Sequence, residues 1–161
     1  MIKGSPPPKM ETNGHGRTHT HLAEFPLEEI LDVRTFEPSG KKSKKETFKT
    51  PDGTEYKVNT SSLRYHVFAQ SSICECCGLQ GKRMLLDLPP GAITPHFNLY
   101  GEDGNELILM TKDHKIPKSK GGSDNLDNFQ TLCTRCNNAK GDKFLSIKEL
   151  RELEIVKEYM V

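Results

Sequence analysis

Tryptophan is absent from this chain of 161 residues, aromatics supply 7% and hydrophobic residues only 34%. A supply this lean leaves a modest core, and small cores often need a metal or disulfides as a staple. No apolar run is long enough for a secretory signal or a membrane-spanning helix. The expectation is a cytoplasmic protein with no membrane partner. Excess charge is missing too: 23 Lys and Arg against 22 Asp and Glu give a net +1. The average therefore points to no partner, and only the distribution of charge is informative. No internal repeat is visible. Five cysteines are present, at 74, 76, 77, 133 and 136. An odd count argues against complete disulfide pairing, and a reducing compartment turns paired Cys-x-x-Cys motifs toward metal.

Residues 1–22 hold Gly, Pro, Thr and His15, His19 and His21 but few apolar side chains, and read as a flexible tail. Residues 23–72 read as an accessory region. It opens with a short helix starting at Pro26. A basic run follows (Lys41, Lys42, Lys44, Lys45, Lys49), then strands on either side of a Pro51-Asp52-Gly53 turn. A helix over 61–71, capped by Asn59 or Thr60, places Leu63, Val67 and Phe68 on one face. Residues 73–145 form the main domain, with strands over 83–88, 96–100 and 107–111 and a helix over 134–143. A charged amphipathic helix over 146–161 closes the chain.

Cys74 with Cys77 and Cys133 with Cys136 are two Cys-x-x-Cys pairs. Together they supply the four thiolates that a closed, structural zinc takes. Cys76 offers a tighter Cys-x-Cys alternative to Cys77.

The segment 109–141 carries the chemistry. Phosphodiester hydrolysis needs a base to activate water and a cation to offset charge. His114 can accept a proton near neutral pH. Asp113 and Asn137 offer hard oxygen ligands for Mg²⁺ or Mn²⁺. Adjacent strand residues point to opposite faces, so Asp113 and His114 can serve one site only if the strand bends or ends there. The Gly121-Gly122 pair permits a loop that folds back. Asn128 begins the returning strand, where its amide orients the His114 imidazole or holds the loop through backbone bonds. Lys140 shares the helical face of Asn137 and can meet a phosphate. Asn125 and Asn138 read as loop and helix-surface residues, and His66 and His96 as structural or surface residues.

Asp113-His114, Pro117, Gly121-Gly122, Asp127-Asn128, Cys133-Thr134-Arg135-Cys136-Asn137 and Lys140-Gly141 occur in an order and spacing that resemble the HNH (ββα-metal) endonucleases. The likeness spans about residues 74–145. It implies an α+β fold: a ββα-metal nuclease core stapled by a Cys₄ zinc knuckle, with an N-terminal hairpin and helix region. It implies that His114 is the general base, that Asp113 and Asn137 hold one divalent ion, and that Asn128 positions the histidine. Asn137 stands where many members have histidine, an H-N-N variant.

Between 111 and 145 there are seven Lys or Arg against four Asp. Lys115, Lys118, Lys120, Arg135 and Lys140 are the candidates for contact with a DNA backbone. The Lys41–Lys49 run is a second candidate, with a solvated loop as the plainer reading. A homodimer or a larger partner protein is compatible with the sequence. The competing function is a zinc-knuckle DNA-binding or adaptor protein whose nuclease centre is dead. A disulfide-bonded secreted domain is disfavoured by cysteine parity.

Overall fold

The computed structural model describes residues 1–31 and 44–161. Lys41 and Lys42 of the basic run lie outside the described residues. The chain is a mixed α+β protein built on two sheets.

The N-terminal segment contributes β1 (Ile2–Lys3), β2 (Glu11–Asn13), a 3-10 turn at His15–Thr18 and β3 (Thr20–Phe25), followed by α1 (Leu27–Ile30). After the undescribed stretch come β4 (Lys45–Lys49), β5 (Glu55–Asn59) and α2 (Leu63–Gln70). The expected hairpin is present: β4 pairs antiparallel with β5, Phe48 opposite Tyr56, and Asp52 accepts from Thr54 N in the turn at 3.0 Å. Helix α2 begins two residues later than expected, with Ser62 at the cap position. Asn59 instead accepts from the backbone and hydroxyl of Ser61 at 2.9 and 2.8 Å, a local turn that precedes the helix.

Three long strands then build the main sheet: β6 (Gly81–Leu88), β7 (His96–Asp103) and β8 (Glu106–His114). Strand β6 sits between β3 and β7, which explains its unbroken Met84-Leu85-Leu86 run. Both faces of this central strand are covered, so alternation is lost. Met84 and Leu86 join the larger core, while Leu85 packs on the opposite face with Tyr100, Leu107 and Leu109. Strand β9 (Phe129–Cys133) returns along the second half of β8, and α3 (Thr134–Lys140) follows directly.

Phe25 of β3, Phe48 of β4 and Phe97 of β7 meet edge to face, with centroids 4.9–5.4 Å apart. This cluster joins the small sheet (β1-β4-β5) to the large one (β2-β8-β7-β6-β3, with β9 on β8). Burying one such ring contributes roughly 1.5–3 kcal/mol, which matters in a chain so poor in aromatics.

Two sequence expectations are corrected. Residues 1–22 are not a flexible tail: β1 pairs parallel with β4, β2 parallel with β8, and β3 antiparallel with β6. Backbone pairing, the His21–Asp87 contact and the packing of Ile2, Met10 and Leu22 against the core hold this segment. The C-terminal segment is not one helix but two short ones, α4 (Ile147–Arg151) and α5 (Glu154–Lys157). Leu153 between them is extended, with ψ 131°. The break lets Leu150 and Val156 both reach the core. No helix among the described residues is long and apolar enough to cross a membrane.

Candidate active site and zinc knuckle

The cysteines converge as their spacing requires. The Sγ atoms of Cys74, Cys77, Cys133 and Cys136 all lie within 4.8 Å of one another and are buried. The Cys77 and Cys133 sulfurs are 3.8 Å apart, the edge of a tetrahedron built on Zn–S bonds of about 2.3 Å. The donor set therefore fits a zinc ion. Hydrogen bonds from Cys133 and Cys136 hold the Cys74 thiol far below its ordinary range and bring Cys77 down to about 7. Cys136, hydrogen-bonded to Cys133, is pushed up. Cys76 stays outside the set, fully buried, and burial raises its thiol.

Neighbouring segments brace the knuckle. Glu75 N donates to Thr131 O of β9 at 3.0 Å, and Arg151 of α4 donates to the carbonyls of Glu75 and Cys76 at 2.8 Å. Cys133 ends β9 and Cys136 lies in α3, so the same sulfurs that close the knuckle fix the angle between this strand and helix.

That helix packs against the end of β8. Asn137 Nδ2 donates to Thr111 Oγ1 at 2.9 Å. Two residues along the same strand face, Asp113 is buried. Its Oδ2 accepts from Gln130 Nε2 at 2.9 Å and lies 3.1 Å from Lys140 Nζ. Lys140 also donates to the carbonyl of His114 at 2.9 Å.

His114 is the last residue of β8 and lies on the opposite face from Asp113. Its ring meets Phe129 edge-on, centroids 4.6 Å apart, and Lys112 Nζ sits 4.4 Å above the same phenyl ring. His114 Nε2 is 2.8 Å from Asp124 Oδ1, while Lys118 donates to Asp124 Oδ2 at 2.9 Å. Hydrogen bonds from His114 and Lys118 hold the Asp124 carboxyl down at about 2. Asp124 therefore stays ionised. With the imidazole neutral, Nε2–H donates to it and Nδ1 is left as the basic nitrogen.

The loop between the strands is tied from inside by Asn128. Its Oδ1 accepts from Ile116 N at 3.0 Å, and its Nδ2 donates to Ile116 O at 3.2 Å and Ser123 O at 2.8 Å. Of the two roles open to Asn128, the structure shows the loop-holding one. Its side-chain bonds run to the loop backbone, whereas the His114 ring is bonded to Asp124. The glycine pair is explained by the same turn. Gly121 has φ +85°, and a Cβ on Gly122 would fall 1.8 Å from Ile116 O. No larger residue fits there.

Two of the residues expected to meet DNA are engaged within the chain. Lys140 is 1% exposed and occupied by Asp113, because a buried ammonium is stable only when paired. Arg135 is paired with Asp103 at 3.0 Å and stacked 5.0 Å over the Tyr159 ring. Lys115, Lys118 and Lys120 are exposed on the loop beside His114. Asp124 and Gln130 are the residues that sequence reasoning missed. Asp124 stands in a polar loop like any solvated acid, and Gln130 is recognisable only from its register opposite Asp113.

Residues 102–143 match the family model for HNH endonuclease. No match is found among curated proteins or solved structures.

Proposed function

We propose that this chain is a metal-dependent DNA endonuclease in which His114 is the general base. The observation that carries the reading is the strand–loop–strand–helix unit of residues 106–140. It ends β8 on a half-exposed histidine, sets an ionised Asp124 against that ring, and matches the nuclease family model. A phosphodiester lying across the end of β8 is within reach of both strand faces, since no further strand residue separates them.

His114 takes a proton from water as its oxygen attacks phosphorus, the P–O3′ bond breaks, and the leaving oxygen is protonated from solvent. Asp124 orients the ring and favours the imidazolium that forms. Asn128 and Gly122 hold the loop that carries Asp124. Lys115, Lys118 and Lys120 contact the DNA backbone without reading sequence.

Asp113 and Asn137 are hard oxygen donors of the type that Mg²⁺ or Mn²⁺ takes, and they would hold such an ion. When bound, it would offset charge on the phosphate and the leaving oxygen. The Lys140 ammonium already neutralises Asp113, so ion binding competes with this pair.

That competition favours a second reading, a zinc-knuckle DNA-binding protein with a silent centre, in which Lys140 permanently replaces the ion. Incubating zinc-loaded protein with supercoiled plasmid, with and without Mg²⁺ or Mn²⁺, decides between them. Ion-dependent nicking supports the nuclease. Retention of plasmid without cutting under any divalent ion rejects it in favour of the binding protein.

A further inference from the structure

Strand β8 changes partners midway. Its last pair with β7 is Leu109 opposite Tyr100, and from Met110 onward it pairs with β9. The first half of β7 keeps β6 on one side and, among the described residues, has no strand on the other. The two strands therefore diverge and leave a crevice of about 310 Å³ between His96 and Asn98 of β7 and Leu109–Lys112 of β8. Arg64 of α2 and His19 of the N-terminal segment complete the walls.

The charge of this crevice is one-sided. Arg64, Lys112, His19 and His96 line it, and no Asp or Glu does. Among the described residues neither Arg64 nor Lys112 forms an ion pair. Arg64 Nη2 is spent on Phe97 O, at 2.9 Å, and on Asn98 Oδ1. Lys112 rests on the Phe129 ring. Burial, and then the charge of Arg64, lowers the basicity of His96. The nearby carboxylate of Asp87 is fully buried and already taken by His21, Asn98 and Tyr100. His19 Nδ1 is buried and has no hydrogen-bond partner. The charge of Asp124 reaches Lys112, but no carboxylate lines the crevice, so an anion entering it meets Arg64, Lys112 and the His19 ring.

We infer that the crevice between β7 and β8 binds a backbone phosphate of the DNA strand being cut, through Lys112, Arg64 and the His19 ring. The inference rests on the proposed nuclease function. Lys112 and His114 share one face of β8 two residues apart, about 7 Å along the strand. Neighbouring phosphates follow the backbone path, which is longer than the axial rise of roughly 3.4 Å per nucleotide, so this span corresponds to about one phosphate step. A phosphate held here fixes the register of the strand, so that the scissile phosphate falls at His114.

The test uses full-length, zinc-loaded His114→Ala protein and a short DNA duplex, with affinity measured over a series of salt concentrations. Lys112→Gln added to this background should weaken binding and lower the slope of log K against log salt by about one. Lys112→Arg should restore it, and Lys148→Gln on α4 should change nothing. In the unmutated protein, titration with inorganic phosphate should shift the NMR signals of the His19 and His96 rings saturably. An unchanged salt slope in a folded Lys112→Gln protein that still binds DNA overturns the subsite and leaves the nuclease reading standing. Unshifted histidine signals overturn it equally. If the His114→Ala protein does not bind DNA at all, the nuclease reading fails first and the subsite with it.

Discussion

The Lys140 ammonium lies 3.1 Å from the Asp113 carboxylate, with both side chains almost wholly removed from solvent. A helix and a strand end are thus joined through the residue proposed to hold the divalent ion. Breaking a buried pair by removing one partner costs about 3–5 kcal/mol, because the other charge is left uncompensated. Lys140→Met should therefore lower stability by about that amount in urea unfolding. Mg²⁺ should then raise Tm more in Lys140→Met than in the unmutated protein, since the ion no longer competes with the ammonium. Equal Mg²⁺ responses in the two proteins would remove Asp113 as a ligand.

Zinc removal should be more damaging than any single core substitution. A Cys₄ site of this kind contributes on the order of 10 kcal/mol of apparent binding free energy. The knuckle also sets β9 against α3. Cys133→Ser should give unfolded or aggregating protein, whereas Cys76→Ala, a small change outside the sulfur cluster, should leave the metal content at about one zinc per chain. Elemental analysis and circular dichroism of both variants check this.

How far the sequence revealed these relationships depends on their range. The four clustered cysteines and the hairpin around Pro51-Asp52-Gly53 rest on local spacing, and local spacing is legible; strand β8 instead runs past its expected end at Thr111 to His114. The pairing of β2 with β8 joins residues more than ninety positions apart, and nothing in Glu11-Thr12-Asn13 announces it. The burial of Lys140 was hidden for another reason. Charged helix residues near a basic loop usually face water, and only the register of α3 on β8 shows that this one reaches Asp113.

Asn128→Ala should loosen the loop without unfolding the protein. The substitution removes three hydrogen bonds to Ile116 and Ser123, while the zinc and β8–β9 pairing stay in place. Amide hydrogen exchange should rise within 116–125, plasmid cleavage should fall at least tenfold, and zinc content should be unchanged. Loss of activity with unchanged exchange in that loop would argue for a direct catalytic role instead.

Asp124→Asn tests the ring partner. The Asp124 carboxyl is depressed to about 2 by His114 and Lys118, so its contribution is present above the ordinary carboxyl range of about 3.9. It is lost only as pH falls through about 2. At neutral pH the ionised form is always available to His114. Asparagine keeps an acceptor but no charge, so cleavage should drop several-fold at pH 7 while zinc content and melting temperature hold. An unaltered rate would make Asp124 a solvated loop acid.

His114→Ala is the decisive substitution. Water is a poor nucleophile at neutral pH, and a positioned base typically contributes roughly 10²–10⁴ in rate. Among the described residues, His114 is the only imidazole in the segment that matches the nuclease family model. Its ring is supported by Phe129, itself buried, and by Asp124, which keeps Lys118 as a partner without the imidazole. The variant should keep its zinc, its melting temperature and its affinity for DNA, because the proposed DNA contacts lie on other residues and the knuckle on cysteines. Plasmid cleavage should fall by about 10² or more. A folded, zinc-loaded His114→Ala protein that nicks plasmid at the unmutated rate would take His114 out of the chemistry.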